Sequence, residues 1–432
     1  MRKMKDSGIE WIGEIPESWS TQKIKYCFSL IAGATPKSGN SEYWDGDIVW
    51  ITPADFTTKD MYVKNGHQTI TVEGLESCAT TIVPIDSIIF SKRAPVGLVA
   101  INQVPLCTNQ GCISCIPNEG FHSKFYYYAM SVFSEQFDLF ASGTTFKEIS
   151  AEAFANFILP FAKYEDQIRI ADYLDQKCAE IDAIIAAKEK TNELLKERRQ
   201  SIIYEAVTKG LDPTVPMKDS GVEWIGEIPE SWSFSKLKYD AYMKGRIGWQ
   251  GLKADEFIEE GPYLVTGTDF EDGKVRWERS YHISEERFNE APEIQLKEQD
   301  LLITKDGTIG KLAYIDYLPG LASLNSHLLV IRPKRERFLN KYLYWVLSSD
   351  VFFQYTEYAQ DGTIMASLSQ EKISQFVFGL PSIQEQQMIE KYLDEQCAEI
   401  DALISANEST IEKLKEYRQS VIYEAVTGKV EV

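Results

Sequence analysis

The sequence lacks most of the features by which a membrane protein, a secreted protein or a disulfide-stabilised protein is recognised. It holds only 7 cysteines in 432 residues, an odd and sparse set that does not make a disulfide framework in a chain of this size. No run approaches the roughly 18 apolar residues that a membrane span needs. Because the charged stretch of residues 1–6 leads into Trp11 and not into an apolar signal core, we expect a cytoplasmic protein.

Motifs of catalysis and metal binding are also missing. There is no Gly-x-Gly-x-x-Gly loop, no His-Glu-x-x-His pair and no Asn/Asp-Pro-Pro-Tyr motif, and residues 306–312 lack the spacing and the hydroxyl of a phosphate-binding loop. Cys107, Cys112, Cys115 and His122 are close in sequence. Zinc sites normally have two pairs of closely spaced ligand residues, whereas this cluster has only one such pair. We therefore expect no catalytic residue, no cofactor and no metal in this chain.

Positive charge is in short supply as well. Against 65 acidic residues there are 45 lysines and arginines, which leaves a formal net charge of −20. The deficit extends along the chain, with −4 in residues 1–164, −2 in 165–211, −8 in 212–383 and −6 in 384–432. This balance argues against a protein that simply coats DNA, so any contact with phosphates has to come from local basic clusters on one face.

What the sequence does contain is a long internal repeat. Residues 4–20 return at 217–233 with a single change, from Ile9 to Val222. Two further blocks return in the same order, at nine of eleven and nine of ten positions: 173–183 at 392–402, and 199–208 at 418–427. The segments between these blocks diverge almost completely. The chain alternates variable and constant segments, which is expected of a duplicated scaffold that carries two different recognition surfaces.

The second constant block of each half predicts a long helix, since proline is absent from 161–212 and from 382–432. Apolar residues in these blocks follow the alternating four–three spacing of a coiled-coil seam. The predicted seam consists of Leu174, Cys178, Ile181, Ile185, Leu195 and Ile202 in the first copy, and of Leu393, Cys397, Ile400, Ile404, Ile411, Leu414 and Val421 in the second. A seam over residues 174–206 spans about 48 Å at 1.5 Å per residue, so two such helices side by side would act as a ruler.

Polar residues interrupt this seam, among them Asn192 and Arg199 in the first copy and Asn407 and Arg418 in the second. Such interruptions lower stability but fix register and partner. A second apolar stripe flanks the seam and is a candidate surface for another protein chain; it comprises Ile184, Leu194, Ile203, Leu403 and Ile422.

The variable segments predict mixed α/β domains, with short apolar runs punctuated by Gly, Pro, Asn and Asp. The predicted strands are 48–51, 87–90 and 97–101 in the first domain and 263–265, 300–304 and 327–331 in the second, and aromatic helices are predicted at 125–128 and 342–345. We place the first variable domain at 1–160, the first long helix at 161–211, the second variable domain at 212–380 and the second long helix at 381–432.

Taken together, the repeated segments resemble the specificity subunit of a type I restriction–modification system. The resemblance covers essentially the whole chain. It is carried by the twice-used Gly-Ile/Val-Glu-Trp-Ile-Gly-Glu-Ile-Pro-Glu-Ser-Trp, by Tyr-Leu-Asp-x-x-Cys-Ala-Glu-Ile-Asp-Ala and by Ser-x-Ile-Tyr-Glu-Ala-Val-Thr. Residues 33–36 with 42–44, and residues 306–311, are similar to stretches that recur in target-recognition domains of that family.

The resemblance implies an α+β fold in which two target-recognition domains are separated by two long antiparallel coiled-coil helices, with pseudo-twofold internal duplication. It also implies that each domain reads one half of a split double-stranded DNA sequence and that the helices dock two methyltransferase subunits. Those subunits would bind S-adenosylmethionine, and translocating restriction subunits would join through them. Half-sites about one helical turn apart would suit the helical ruler.

Base readout needs hydrogen-bonding side chains on loops, positioned by phosphate contacts. The candidates in the first domain are Thr35, Lys37, Ser38, Asn40, Lys92, Arg93, Thr108, Asn109, Gln110, Thr144, Thr145 and Lys147. Those in the second are Lys244, Arg246, Trp249, Gln250, Lys253, Thr266, Thr268, Lys305, Thr308, Asn325, Ser326 and Thr363. Arg93 and Arg246 stand out because arginine makes bidentate contacts to guanine.

Two other functions remain open at this point. A coiled-coil adaptor that binds only proteins would show no salt-dependent affinity for duplex DNA. A stand-alone nuclease with an unfamiliar site would cleave DNA by itself in the presence of a metal ion, and the missing motifs count against it.

Overall fold

The computed structural model describes residues 3–58, 60–143, 147–246, 252, 254–306, 308–358 and 368–432. The chain divides into two compact units: unit 1 comprises Met1–Lys188 with Glu408–Val432, and unit 2 comprises Glu189–Asn407. This division differs from the four segments placed on the sequence, because each long helix belongs partly to unit 1 and partly to unit 2. Among the described residues, no helix is long and apolar enough to cross a membrane.

Unit 1 combines short strands with short helices, as the variable segment predicts. Its strands are β1 (Met4–Asp6), β2 (Glu14–Pro16), β3 (Ser20–Lys23), β4 (Phe28–Ala32), β5 (Trp44–Ile51), β6 (Tyr62–Val63), β7 (Gln68–Ile70), β8 (Ile88–Lys92), β9 (Val96–Asn102), β10 (Cys107–Thr108), β11 (Cys112–Pro117) and β12 (Ile158–Phe161). Its helices are α1 (Ile24–Cys27), α2 (Val72–Glu76), α3 (Ser123–Val132), α4 (Ser134–Leu139), α5 (Ala151–Asn156) and the first part of α6 (Tyr164–Lys209).

Two sheets build the core of unit 1. The larger has the order β4-β11-β8-β9-β6, and α3 and α4 pack against β9. The continuous apolar run of β8 is fully buried at Ile88, Ile89 and Phe90 because both faces of this central strand are covered. The smaller sheet has the order β10-β5-β7, with β10 parallel to β5 and β7 antiparallel to it.

Unit 2 repeats this plan with different residues. Its strands are β13 (Met217–Asp219), β14 (Glu227–Pro229), β15 (Ser233–Lys236), β16 (Ala241–Lys244), β17 (Ile258–Val265), β18 (Phe270–Glu271), β19 (Lys274–Val275), β20 (Tyr281–His282), β21 (Leu301–Thr304), β22 (Leu312–Tyr314), β23 (Ala322–Leu324), β24 (Leu328–Pro333) and β25 (Val377–Leu380). Its helices are α7 (Leu237–Asp240), α8 (Glu285–Asn289), α9 (Asn340–Leu347), α10 (Asp350–Tyr358), α11 (Gln370–Gln375) and part of α12 (Ile383–Val426). One sheet has the order β16-β24-β21-β22 and another the order β20-β17-β23, in which β23 is parallel to β17.

The constant blocks make the same contacts in both units. The indole N–H of Trp11 donates to the carbonyl of Ile158 (3.1 Å), and that of Trp224 donates to the carbonyl of Val377 (3.2 Å). A fully buried glutamine near the start of each long helix also accepts a backbone N–H from the preceding domain; these are Gln167 with His122 and Gln386 with Leu339. These contacts explain why the blocks are repeated, since they attach each variable domain to its helix.

The long helices bury the predicted seam. Ten seam residues are buried, and the remaining three, Ile185, Leu195 and Leu414, are half-buried. In unit 2, Asn192 hydrogen-bonds Asn407 (2.8 Å) and Arg199 pairs with Asp401 (3.1 Å). Because the residue number rises along α6 as it falls along α12, the helices run antiparallel there. The predicted α+β class is confirmed.

Candidate nucleic-acid interface

Both units place loops at the carboxyl ends of a parallel strand pair. In unit 1, β10 leads from Thr108, the partner of Ile51, into a turn whose Asn109 N–H donates to the Ile51 carbonyl (2.8 Å). In unit 2, β23 leads in the same way into a turn whose Asn325 N–H donates to the carbonyl of Val265 (3.0 Å). We call these the asparagine turns, residues 109–111 and 325–327.

The asparagine side chain shapes each turn. The Asn109 amide oxygen accepts the Gly111 N–H (2.8 Å), and the Asn325 amide oxygen accepts the His327 N–H (3.0 Å). Such a bond to the backbone two residues on is the reason asparagine is favoured in turns. The residue between the two bonded positions, Gln110 or Ser326, is therefore presented on a fixed backbone.

A hairpin loop lies beside each asparagine turn: residues 92–97 in unit 1 and, in unit 2, residues 305, 306 and 308–310. The Lys92 N–H donates to the Gly111 carbonyl, and the Lys305 N–H donates to the His327 carbonyl, both at 2.9 Å. A buried hydroxyl closes each loop. The Ser91 hydroxyl accepts the Leu98 N–H (2.8 Å) and donates to the Pro95 carbonyl (2.7 Å).

Thr304 makes the matching contacts in unit 2. Its hydroxyl accepts the Lys311 N–H (2.9 Å) and donates to the carbonyl of Thr308. In each unit the hydroxyl thus bonds the residues four and seven positions further along the chain. Both hairpin loops are therefore closed by the same pair of hydroxyl contacts, although their sequences differ.

A capped turn follows the central strand of the smaller sheet in both units. Asp55 accepts the backbone N–H and the hydroxyl of Thr52, each at 2.7 Å. Asp269 accepts the N–H (2.7 Å) and the hydroxyl (3.0 Å) of Thr266 in the same way. Burial opposes ionisation of Asp55, but the hydrogen bonds from His67 and Thr52 together hold the pKa of its carboxyl below the ordinary value.

Three of these loops of unit 1 converge near one buried thiol. Burial raises the pKa of Cys112, the negative charge of Asp55 raises it further, and Arg93 and Lys92 oppose that rise. A Cβ added to Gly111 would also lie 3.0 Å from the Pro53 ring. The hairpin loop, the asparagine turn and the capped turn are therefore neighbours.

Of the predicted DNA-contacting residues of unit 1, Lys92, Arg93, Asn109 and Gln110 lie on the hairpin loop and the asparagine turn, whereas Thr35, Lys37, Ser38, Asn40 and Lys147 lie outside these loops. Exposed residues are Thr35, Lys37, Ser38, Gln110 and Lys147; half-buried residues are Asn40, Lys92, Arg93 and Asn109. The hydroxyl of Thr35 bonds the side chain of Gln110, which brings the loop of residues 33–40 to the asparagine turn. In unit 2 the exposed residues are Lys244, Thr268 and Thr308, and the half-buried ones are Thr266, Lys305, Asn325 and Ser326.

Two predicted residues are buried and do not face solvent. Thr108 is 2% exposed, and its carbonyl accepts the Thr80 hydroxyl and the Ala34 N–H. Arg246 is 3% exposed and donates to the Leu324 carbonyl (3.0 Å) and the Ser323 hydroxyl (3.1 Å). Burial and the nearby positive charge of Arg287 lower the pKa of Arg246. Both residues support a strand instead of a readout surface. Thr144, Thr145, Trp249, Gln250, Lys253 and Thr363 lie outside the described residues.

Three of the basic candidate side chains of unit 1 have acidic partners. Glu148 lies 2.7 Å from the Lys92 ammonium and 3.5 Å from the Arg93 guanidinium, and Lys147 pairs with Asp138. The hydrogen bond from Lys92 is the main cause that holds the pKa of Glu148 below its ordinary value. The pairs that Glu148 forms join distant parts of the sequence, so they could not be predicted from local sequence patterns.

Sequence reasoning also missed several residues of the loop cluster. Ser91 and Thr304 were not singled out, and neither were Asp55, Asp269 and His67. A signal for the aspartates was available, since Thr-x-x-Asp directly after an apolar strand is a capping box. For the hydroxyls and for His67 the sequence offers no comparable pattern.

The cysteine cluster shows no arrangement for metal binding. Across the described part of the chain, no group of His, Cys, Asp and Glu side chains is placed to hold a metal ion. Burial raises the pKa of the Cys107 thiol to about 12 and raises that of Cys115 further still. Since the thiolate is the form that binds metals, these cysteines act as small apolar residues of the core.

Comparisons with known proteins agree with one another. The sequence model of the family described as "Type I restriction modification DNA specificity domain" matches residues 16–196 and 247–413. The MjaIX specificity subunit of a type I restriction enzyme from Methanocaldococcus jannaschii is 28% identical over 98% of this chain and 95% of its own length. The EcoBI specificity subunit from Escherichia coli is 23% identical over 76% of this chain and 70% of its own.

Solved structures show the same fold. A chain from a study of assembly and conformational transition of the type I R-M system superposes with a TM-score of 0.75 at 16% identity, covering 96% of this chain and 99% of that one. The HsdS subunit from Thermoanaerobacter tengcongensis superposes with a TM-score of 0.54 at 17% identity, covering 96% and 98%.

Proposed function

The chain belongs to the type I restriction modification DNA specificity family, and from this premise we propose that it is the non-catalytic subunit that determines the DNA sequence specificity of a type I restriction–modification complex. The resemblance noted in the sequence is thereby confirmed at the level of the family. In the proposed function, unit 1 reads one half of a bipartite target in double-stranded DNA and unit 2 reads the other.

The observation that carries the proposal is that one loop framework is built twice and presents different side chains. The framework residues correspond: Asn109 to Asn325, Lys92 to Lys305, and Asp55 to Asp269. If the loop framework had only a structural role, the side chains that it exposes would not need to differ between the two units. A pair of sites that read two different sequences does need different side chains.

The presented residues differ in hydrogen-bonding chemistry. The hairpin loop carries Arg93 in unit 1 and Asp306 at the corresponding position in unit 2, and the asparagine turn carries Gln110 in one and Ser326 in the other. Arginine suits guanine, glutamine suits adenine and an acidic side chain accepts from cytosine. The two half-sites are therefore expected to differ, which makes the target asymmetric.

The acidic balance of the chain requires that other subunits share the contact with DNA. We propose that two methyltransferase subunits dock on the long helices, where the exposed residues Ile184 and Leu403 occupy corresponding positions of the two copies. S-adenosylmethionine would bind to those subunits and not to this chain, and restriction subunits would join through them. The proposed site of action is the cytoplasm, where the DNA of bacterial and archaeal cells lies.

Mapping of methylated bases tests the proposal directly. The chain is expressed with its methyltransferase partner in a host that lacks other modification, and the modified motif is read from genomic DNA. We expect a bipartite motif with two unlike halves. The same complex should bind a duplex with this motif at least about 1000-fold more tightly than an unrelated duplex. The absence of any sequence preference, or a palindromic motif, would refute the proposal.

A further inference from the structure

His67 is an exposed side chain that the loop cluster of unit 1 holds in place. It directly precedes β7, and its side chain is 80% exposed while that of its partner, Asp55, is 2% exposed. The His67 ring Nδ1 contacts the Asp55 carboxylate, and the His67 backbone N–H donates to the same carboxylate at 2.7 Å. An exposed histidine in a loop is ordinarily mobile, whereas this one is bonded at both its backbone and its ring.

Asp55 is itself fixed, so it defines the orientation of the imidazole. Thr52 donates its N–H and its hydroxyl to the second carboxylate oxygen, each at 2.7 Å. These hydrogen bonds favour the ionised carboxylate, which can only accept. Nδ1 of His67 is therefore the donor, and in the neutral ring Nε2 is left as an acceptor on the exposed side.

The imidazole is close to the loops that carry the other candidate reading groups. The capped turn that contains Asp55 lies against the asparagine turn, since the Pro53 ring is 3.0 Å from a Cβ built on Gly111. Gly66 lies against the carbonyl of Trp50 on β5, 2.4 Å from a built Cβ, which brings the chain just before His67 onto the same sheet.

Unit 2 contains the same aspartate with a different partner. Asp269 accepts from the hydroxyl of Ser280 (3.1 Å), and Ser280 directly precedes β20 as His67 precedes β7. Ser280 is 9% exposed, so it completes the buried network without presenting a group to solvent. The corresponding position is thus purely internal in unit 2 and outward-facing in unit 1.

From this difference we infer that His67 is a specificity-determining residue of unit 1, whose Nε2 contacts a base edge in the DNA half-site that this unit reads, and that Asp55 is its positioning residue. The inference rests on the proposed function. An acceptor at this place suits the exocyclic amino group of adenine or cytosine in the major groove. Ser280 with Asp269 has no such role in the second half-site.

The test uses the complex of the full chain with its methyltransferase partner. His67→Ser introduces the residue that unit 2 has at this position, and its high exposure makes loss of folding a minor concern. Lys64→Ser is the matched control because Lys64 is an exposed cation of the same loop. Binding is measured against duplexes in which each base pair of the mapped motif is replaced in turn, at several salt concentrations.

We expect His67→Ser to lower the preference about tenfold at one base pair of the first half-site, with no change in the second half-site and an unchanged salt dependence. The Lys64→Ser variant should keep the preference at every base pair. Retention of the full wild-type preference by His67→Ser would overturn the inference. So would a uniform loss on all duplexes with a weaker salt dependence, which marks a phosphate contact.

Asp55→Asn tests the positioning role. It should lower preference at the same base pair as His67→Ser, and the double variant should lose no more than the larger of the two single losses, because both changes remove one contact. If Asp55→Asn instead lowered the preference at every base pair of the first half-site, the positioning role would be overturned. A wild-type complex without any sequence preference would refute the proposed function itself, whereas a selective wild type with an equally selective His67→Ser variant refutes only this inference.

Discussion

Arg199 on α6 and Asp401 on α12 form an ion pair of 3.1 Å, and the corresponding residues of the repeat, Arg418 and Asp182, form one of 3.0 Å with the helices exchanged. Each helix thus supplies one arginine and one aspartate. This exchange follows from the duplication, because two copies of one helix sequence that pair antiparallel make every contact twice.

The two partners of the Arg199 pair are expected to contribute unequally to stability. Asp401 is largely exposed, so Asp401→Ala should lower the free energy of unfolding by only about 0.5 kcal/mol. Arg199→Ala should cost more, because the guanidinium also lies over the Trp345 ring at 5.9 Å. Urea denaturation of both single variants and the double variant measures this, and equal losses would contradict it.

The Asn192–Asn407 pair interrupts the apolar seam of α6 and α12 in unit 2. Asn407→Leu removes the donor that bonds the buried Asn192 side chain at 2.8 Å, and we expect a loss of about 1–3 kcal/mol. Changing both residues to leucine should recover most of this loss, because no amide is then left in the seam. The denaturation midpoints of the two single leucine variants and of the double variant measure these losses. A double variant that loses the sum of the single losses would show that the amides are not coupled.

Gly33 is required by the close approach of the asparagine turn. A Cβ at this position would lie 2.1 Å from the Asn109 carbonyl oxygen and 2.3 Å from that of Thr108, so Gly33→Ala should cost about 1–3 kcal/mol and weaken preference for the first half-site. Gly39→Ala is the matched control, because a Cβ there meets nothing within 4 Å. The two variants are compared by thermal unfolding and by DNA binding. Equal stability and equal preference would show that the asparagine turn moves to make room for the added Cβ.

Glu390 should make the stability of unit 2 depend on pH. Burial raises the pKa of its carboxyl from 4.5 to about 7, with the Tyr342 backbone N–H opposing and Asp394 adding to the rise. The folded chain therefore keeps a proton that the unfolded chain has released, so this contribution to stability is fully present below pH 4.5 and is lost as pH rises to about 7.

The variant Glu390→Gln has no carboxyl at this position to ionise, so its free energy of unfolding should fall less than that of the wild type as pH rises from 4.5 to about 7. Above pH 7 the variant should therefore be the more stable of the two. Glu395→Gln, an exposed position of the same helix, serves as the control and should follow the wild type. Denaturation curves over the pH range decide between them. A Glu390→Gln variant with the pH dependence of the wild type would contradict the assignment.

Glu148 is expected to weaken DNA binding because its carboxylate forms ion pairs with Lys92 and Arg93 and so competes with DNA phosphates for these two cations. Glu148→Gln should raise affinity for any duplex at low salt and steepen the salt dependence by about one unit in the slope of log K against log salt. Glu119→Gln removes a charge beyond the other end of β11 and controls for net charge. Equal effects of the two variants would show that only the overall charge matters.

Much of the fold could be predicted because it depends on local patterns. The seam residues, the strands around Ile89 and Leu302 and the helix around Tyr127 are visible as periodic apolar runs, and burial follows such runs directly. The repeat added the duplication, since two nearly identical blocks fold into the same contacts.

The candidate site was predicted only in part. The loops of Lys92, Asn109, Lys305 and Asn325 were identified from their composition, but the burial of Arg246 and the acidic partner of Arg93 were not. An arginine in a glycine-rich loop has the same local sequence whether it faces solvent or supports a strand. Its surroundings come from residues 77 and 78 positions away, so no local pattern reports them.

The sequence by itself therefore determined that the chain is a duplication with two long helices and two unlike domains, because repeats and periodicity are written along the chain. Only the tertiary structure decided which side chains meet: Asp55 with His67, Asp269 with Ser280, Glu148 with Lys92. Those pairings depend on how the loops between strands fold back on one another, and for Glu148 and Lys92 on bringing together residues 56 positions apart. The chemistry offered to DNA depends on them as well.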